Sequence, residues 1–117
     1  REQMGVAEPE PLPPCLFLVS MGEAALDRNL RLARDLRRMG WRVEMDLEGR
    51  SMKAQMRSAD KAEARATLIV GDQELEQGAA AVRDMQSGNQ DMVPFDDIDE
   101  HLRRLVAAPT DQQENQS

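Results

Sequence analysis

The 117-residue sequence holds one cysteine, one histidine, one tryptophan, two phenylalanines and no tyrosine. Each scarcity removes a class of function. Cys15 alone cannot form an intramolecular disulfide, and Cys15 and His101 stand too far apart in sequence for a clustered metal-ligand motif. With only Phe17, Trp41 and Phe95 as ring systems, the chain has no aromatic platform of the kind that stacks single-stranded bases. Its apolar runs fall far short of the roughly 18 residues that cross a bilayer, and no basic-then-apolar leader opens it. The expectation is a soluble, cytoplasmic protein with no membrane partner. No GxGxxG or Walker-type phosphate loop occurs. The segment that comes nearest, Ser20-Met21-Gly22-Glu23-Ala24, has one glycine and no lysine.

What is present is an ordinary globular composition, 40% apolar and 32% charged, of a length that suits one domain with one core. A net charge of -7 argues at first against nucleic acid, because phosphate binding draws on Lys and Arg. The charge is unevenly spread, however. Residues 15–65 hold Arg28, Arg31, Arg34, Arg37, Arg38, Arg42, Arg50, Lys53, Arg57, Lys61 and Arg65 and are net basic, while the segments on either side carry the acid. A basic face on an acidic protein is therefore possible.

The first fourteen residues, with four prolines among the last six, can form neither helix nor paired strand and read as a linker, 1–14. The tail 109–117 is polar and is expected to be disordered. Between them, 15–108 reads as one domain. CLFLVS is a short apolar run of buried-strand type, followed by a helical pattern over 23–39 with Leu26, Leu30, Ala33 and Leu36 on one side and Arg31, Arg34 and Arg38 on the other. Gly40 suits a helix C-terminus. WRVEMDL alternates as a half-buried strand does, and Ser51 can cap a second helix with Met52, Met56 and Ala59 inward and Lys53, Arg57 and Lys61 in a basic row. ATLIVG is a third strand, Asp72 to Gln77 a short helical turn, and AAAVRDM and DMVPF two more strands around a Ser87-Gly88-Asn89 turn. Asp97 and Glu100 stand at capping-box spacing before a last helix built on Ile98, Leu102, Leu105 and Val106. The fold class that follows is α/β: a three-layer domain with a five-stranded mixed sheet, mainly parallel with a late antiparallel pair, and about three main helices.

Ligands of open α/β sheets lie beyond the C-terminal ends of the strands, which selects SMGEA, DLEGRS, GDQE and the approach to Arg83. None is a complete active site, and no catalytic or metal-binding residue is assigned. His101 reads as a solvated helix residue, Cys15 as a small core residue and the eight methionines as core filler. Paired carboxylates such as Asp96 and Asp97 have no partner base and indicate a wet surface. The basic row and the arginine ridge are either phosphate contacts or the solvated sides of two helices.

Taken together, the segments carry a resemblance. Gly49-Arg50-Ser51 before a helix ending Ala59-Asp60-Lys61, then Gly71-Asp72-Gln73-Glu74-Leu75, then Arg83-Asp84-Met85 running into Ser87-Gly88-Asn89-Gln90, resemble the C-terminal anticodon-binding domain of the class IIa aminoacyl-tRNA synthetases, and within that group the histidyl-tRNA synthetases. CLFLVSMGEAA and LARDLRRMGWRVEMDL fit the same domain's first strand, helix and second strand, so the resemblance covers about 15–105.

The resemblance implies a five-stranded mixed sheet and a role in binding the tRNA anticodon stem-loop. It also implies a separate parent catalytic domain that uses ATP to charge the tRNA, and a parent that is a homodimer. This stretch alone would be non-catalytic and hold no cofactor. Within the family the glutamate of the GDxE word and the basic residue of the next strand lie near the anticodon bases, and these match Glu74 and Arg83. A carboxylate can accept from a base amino group, and an arginine can donate twice to guanine. The histidyl pattern more often has lysine where Arg83 stands, which keeps the charge and changes the geometry. Arg50, Lys53 and Arg57 would hold the loop's phosphates. The competing reading is a protein-interaction or regulatory module on the same fold, docking through Arg31, Arg34 and Arg38.

Overall fold

The structure is a computed structural model that describes residues 14–107. The expected linker, Pro14 excepted, and the expected tail lie outside the described residues. Strands β1 (Cys15–Ser20), β2 (Arg42–Met45), β3 (Ala66–Val70), β4 (Ala79–Asp84) and β5 (Gln90–Pro94) are joined by helices α1 (Glu23–Arg38), α2 (Met52–Lys61), α3 (Asp72–Gln77) and α4 (Ile98–Ala107). They make one five-stranded sheet in the order β2-β1-β3-β4-β5.

β1 is parallel to both β2 and β3, and β4 is antiparallel to both β3 and β5. The parallel arrangement therefore holds among β1, β2 and β3, and the reversal extends one ladder further than the late hairpin. The cause is length. Parallel neighbours need a crossover of a dozen or more residues, and only 71–78 lie between β3 and β4.

Side-chain alternation along the strands separates two faces. Leu16, Leu18, Leu68, Val70, Val82 and Val93 meet Leu32 and Leu36 of α1 and Ile98 and Leu102 of α4 in the larger core. Phe17, Val19 and the half-buried Ile69 meet Met56 and Ala59 of α2 on the other face. The three layers expected from the alternation of strands and helices are present. Ser51 caps α2, its Oγ accepting from the Ala54 N–H at 3.2 Å. Gly40 (φ 101°) and Gly78 (φ 66°) end α1 and α3 in the left-handed region that favours glycine.

Three sequence expectations need correction. Leu30, placed on the inner side of α1, is 46% exposed; Ala25, Asn29 and Leu32 take the inner stripe. Asn29 is held there because its Nδ2 donates to the Val19 carbonyl at 3.2 Å and to Ser20 Oγ at 2.8 Å. Met52, placed inward on α2, is 38% exposed, and Gln55 is fully buried in its stead. Asp97 does not cap the last helix. It lies within a 3-10 turn, Phe95–Asp97, that leads directly into α4.

Gln55 explains how the sheet survives a short edge strand. β2 ends at Met45, opposite Leu18, so the Ser20 N–H and C=O, which face the β2 side, have no strand to pair with. The opposite side of β1 continues to pair, with the Met21 N–H donating to the Val70 carbonyl at 2.9 Å. The Gln55 carboxamide supplies the missing partner: Oε1 accepts from the Ser20 N–H at 3.0 Å and Nε2 donates to the Ser20 carbonyl at 3.0 Å. Nε2 also donates to the Arg50 carbonyl at 2.7 Å, which ties the loop before α2 to the end of β1.

Candidate nucleic-acid interface

α2 packs over β1 and leaves the outer part of its sheet face open. Alternation puts Ala79, Ala81 and Arg83 of β4 and Gln90 and Met92 of β5 on that face, with Arg83 opposite Gln90 and Ala81 opposite Met92. Met92 is 43% exposed, a large apolar side chain at the centre of a strand with no helix over it. Arg83 is half-buried beside it, and no hydrogen bond or ion pair among the described residues holds its guanidinium. The turn after it closes over this group: a Cβ at Gly88 (φ 82°) would lie 3.9 Å from Arg83 Nη2. The result is an exposed methionine beside an arginine whose donors are available.

The neighbouring acid is fixed differently. Asp84 faces the opposite side, where its Oδ1 accepts from Arg65 Nη1 and from the Gln86 N–H, the latter at 2.9 Å. Arg65 Nη2 in turn donates to the Leu105 carbonyl at 3.1 Å and so locks the end of β4 to α4. Burial pushes the Asp84 carboxyl upward, but the Gln86 N–H and the Arg65 guanidinium outweigh it and hold the group below its usual value.

Glu74 sits in the first turn of α3, and its Oε1 accepts from the Gly71 N–H at 2.8 Å. Half of a capping box is thus formed, since glycine offers no side chain in return. The junction Val70-Gly71 is sterically tight: a Cβ at Gly71 would come within 3.2 Å of Glu74 Oε1 and 3.4 Å of Met21 Cβ. Glu74 and Arg83 do not share a pocket. Arg83 pairs with Thr67, four residues before Gly71 on β3, which is about 13 Å along a strand. Glu74 belongs to α3, whose Leu75 packs into the larger core on the α1 side, whereas Arg83 lies on the α2 side of the sheet.

The three remaining basic candidates divide. Arg50 is committed: Nε donates to Asp46 Oδ1 at 3.2 Å, Nη2 to Ser58 Oγ at 2.7 Å, and its backbone N–H to Asp46 Oδ2 at 3.1 Å. Burial raises the Asp46 carboxyl, but the Arg50 and Glu48 N–H groups and the Arg50 charge bring it below its ordinary value. Lys53 and Arg57 are exposed on α2 with no ion pair among the described residues. Their charges are unshared, whereas Arg50 gives two of its five guanidinium donors to Asp46 and Ser58.

Cys15 is buried, and burial pushes its thiol upward, away from the thiolate a nucleophile needs. Among the described residues no three His, Cys, Asp or Glu side chains gather as a metal site, and no helix is long and apolar enough to cross a membrane. Sequence reasoning missed Gln90 and Met92 on the open face and Gln55 beneath the Arg50 loop. The alternation of β4 against β5 carried a signal for the first two; nothing in the local sequence marked the third.

Residues 16–105 match the family described as "Anticodon binding domain". The histidine–tRNA ligase of Geobacter sulfurreducens is 51% identical over 82 residues, 70% of this chain and 20% of that protein. That of Symbiobacterium thermophilum is 44% identical over 92 residues, 79% of this chain and 21% of that protein. The chain thus spans about a fifth of the length of these relatives. Among solved structures, the histidyl-tRNA synthetase of Nostoc sp. PCC 7120 superimposes with a TM-score of 0.75 at 28% identity, over 81% of this chain and 23% of that one. The apo S. aureus histidyl-tRNA synthetase gives 0.71 at 33% identity, over 77% of this chain and 23% of that one.

Proposed function

This chain belongs to the anticodon binding domain family, and from that premise we propose that it is the anticodon-binding part of a histidyl-tRNA synthetase and binds the anticodon stem-loop of histidine tRNA. The observation that carries the histidyl reading is the 51% identity to a histidine–tRNA ligase across most of the folded region. The parent would charge its tRNA with ATP in a separate catalytic domain, work as a homodimer and reside in the cytoplasm. In this reading 15–108 is the binding domain, 1–14 the linker that joins it to the rest and 109–117 a tail, and the chain itself needs no cofactor.

The physical division of labour is centred on the open face. Unstacked anticodon bases lie against Met92, where Arg83 donates to a guanine edge; Glu74, beyond the end of β3, meets a base amino group; Lys53 and Arg57 neutralise phosphates. Arg50 acts mainly through Asp46 and Ser58 by shaping the loop that leads into α2.

The test is binding of the histidine anticodon stem-loop, and of the same loop with its GUG triplet scrambled, at two salt concentrations. Arg83→Ala is expected to weaken binding and to reduce the preference for GUG. Glu74→Gln is the better partner variant, because the amide oxygen still accepts from the Gly71 N–H while the charge is lost. Equal binding of both loops by wild type and variants would remove the site assignment. A second reading, a protein-docking module, draws on the exposed ridge Arg31, Arg34 and Arg38, which projects from the helix on the other side of the sheet. No RNA binding at low salt, with retained association to the parent's catalytic part, would favour it.

A further inference from the structure

β5 is the last strand of the sheet, and two hydrogen bonds at its ends fix the direction of its main-chain groups. The Asp84 N–H donates to the Asn89 carbonyl at 2.8 Å, and the Phe95 N–H to the Gly78 carbonyl at 3.1 Å. Bonded and non-bonded pairs alternate in an antiparallel ladder, so between these two the bonded pairs are Val82 with Asp91 and Ala80 with Val93. Gln90, Met92 and Pro94 therefore aim their main-chain groups away from β4. The other side of β4 agrees: the Met85 N–H donates to the Arg65 carbonyl at 3.1 Å, which gives Arg83 and Ala81 to β3 and leaves Val82 and Ala80 to β5. Pro94 agrees as well, since a proline is tolerated in a sheet where its missing N–H would face outward.

Among the described residues nothing fills this edge. No strand but β4 pairs with β5, Gln90, Asp91, Met92 and Pro94 are exposed, and no hydrogen bond reaches the Gln90 or Met92 N–H or C=O. The opposite edge strand, β2, is guarded, its Val43 carbonyl accepting from Arg37 Nη2 at 2.7 Å. The exposed groups of β5 select their ligand. Gln90 and Met92 each offer a donor beside an acceptor, which suits a partner with an acceptor beside a donor and disfavours phosphate or carboxylate, whose oxygens would meet the carbonyls. Another β-strand and the Watson–Crick edge of a base both have that pattern. A strand needs a run of such pairs, and only those of Gln90 and Met92 are complete before Pro94 ends the row, with the Asp91 charge between them. A base needs one pair. The edge is also continuous with the open face, on which the exposed Met92 side chain and Arg83 lie.

We infer that the Met92 main chain pairs with the uracil of the GUG anticodon, its N–H donating to a ring carbonyl oxygen and its C=O accepting from the uracil N3–H. The inference rests on the anticodon reading and adds a main-chain contact to it. Uracil is the base selected because both guanines of GUG adjoin it, so whichever guanine takes Arg83 has the uracil beside it. Met92 lies about 7 Å along β5 from Gln90, the residue opposite Arg83, a step that neighbouring unstacked nucleotides span. With a carbonyl on each side of N3–H, uracil fits the pair in either orientation.

The test measures binding of GUG stem-loops carrying uridine, 5-methyluridine or N3-methyluridine at the centre to the wild-type chain, Met92→Ala and Met92→Pro. Met92→Pro loses the same side chain as Met92→Ala and, in addition, one N–H that the β4 ladder does not use; circular dichroism and the thermal midpoint report folding. N3-methyluridine is expected to weaken wild-type binding about tenfold and 5-methyluridine to leave it unchanged, and Met92→Pro should bind the uridine loop about tenfold less tightly than Met92→Ala. Amide hydrogen exchange reads the contact directly. The Met92 amide should exchange freely in the free chain and become protected by the uridine loop but not by the N3-methyl loop, while the Asp91 and Val93 amides, bonded to β4, are protected throughout. Neither this measurement nor the modified loops depend on the proline variant folding. Equal wild-type binding of all three loops with an unprotected Met92 amide overturns the inference, and if Arg83→Ala still weakens GUG binding the anticodon reading stands without it. No binding of any loop removes both. A wild-type dimer that Met92→Pro converts to monomer in sedimentation assigns the edge to a second copy and overturns the inference.

Discussion

Replacing Gln55 by methionine separates the tertiary account of α2 from a reading of its amphipathic pattern. On pattern alone, an apolar residue at 55 would extend the stripe of Met52, Met56 and Ala59 and stabilise the helix. The structure requires the reverse. Methionine has nearly the same volume, so no cavity opens, but the Ser20 N–H and C=O lose partners at 3.0 Å and the Arg50 C=O one at 2.7 Å. The two Ser20 groups are buried, and a buried unpaired group costs about 1 to 3 kcal/mol; water can serve the Arg50 carbonyl in its exposed loop. After crediting methionine with the better transfer into the core, the net loss is about 3 kcal/mol. Against a total stability of about 5 to 15 kcal/mol, and with a urea slope near 1.5 kcal/mol/M, the unfolding midpoint should fall by about 2 M with the slope unchanged. Gln55→Glu should be worse at neutral pH, since it places a charge against two carbonyls. It should recover as the solution is acidified and the buried carboxyl takes up a proton it can donate. A Gln55→Met midpoint equal to or above that of the wild type would refute the reasoning.

Asp84→Ala should cost about 2 kcal/mol at pH 7, because it removes hydrogen bonds to a charged Arg65 and to the Gln86 N–H. The folded carboxyl titrates below its usual 3.8, so its contribution is present above that value and disappears as pH falls through the lower folded one. Chemical denaturation of the variant and wild type should therefore begin to converge as the pH falls below the usual 3.8 and meet once it passes the lower folded value. Lys53→Ala and Arg57→Ala, measured by RNA binding across a salt series, should each reduce the slope of log K against log salt by about 0.7 while leaving base preference intact. Loss of base preference would move these residues off the phosphates. Gly78→Ala places a side chain at φ 66° with nothing nearby to compensate, and the thermal midpoint should drop by the equivalent of about 1 kcal/mol.

Much of the architecture was legible because each strand and helix announces itself locally. CLFLVS is a short apolar run and is buried at every position, and Ser51 and Gly40 punctuate helices through their own conformational preferences. The motif words around Gly71 and Arg83 were equally plain, and the family match covers the region they span. Less legible was what those residues touch. Glu74 and Arg83 were legible as words, but the sequence did not show that the antiparallel register of β3 and β4 sets Arg83 beside Thr67, four residues before Gly71. Arg50 looked as free as Lys53, but a carboxylate four residues earlier and a serine eight residues later orient its guanidinium.

The sequence by itself determined the order of strands and helices, the residue types that terminate them and the family, because these rest on short-range preference and on words of neighbouring residues. Only the tertiary structure decided which polar groups belong inside. Gln55 is buried because β2 stops short and leaves the end of β1 unpaired, and Asn29 because it bonds the Val19 carbonyl and Ser20 Oγ, while Leu30 and Met52, more apolar than either, face outward. Burial follows the hydrogen bonds a backbone leaves unmade as well as hydrophobicity, and which bonds those are depends on where a distant strand ends.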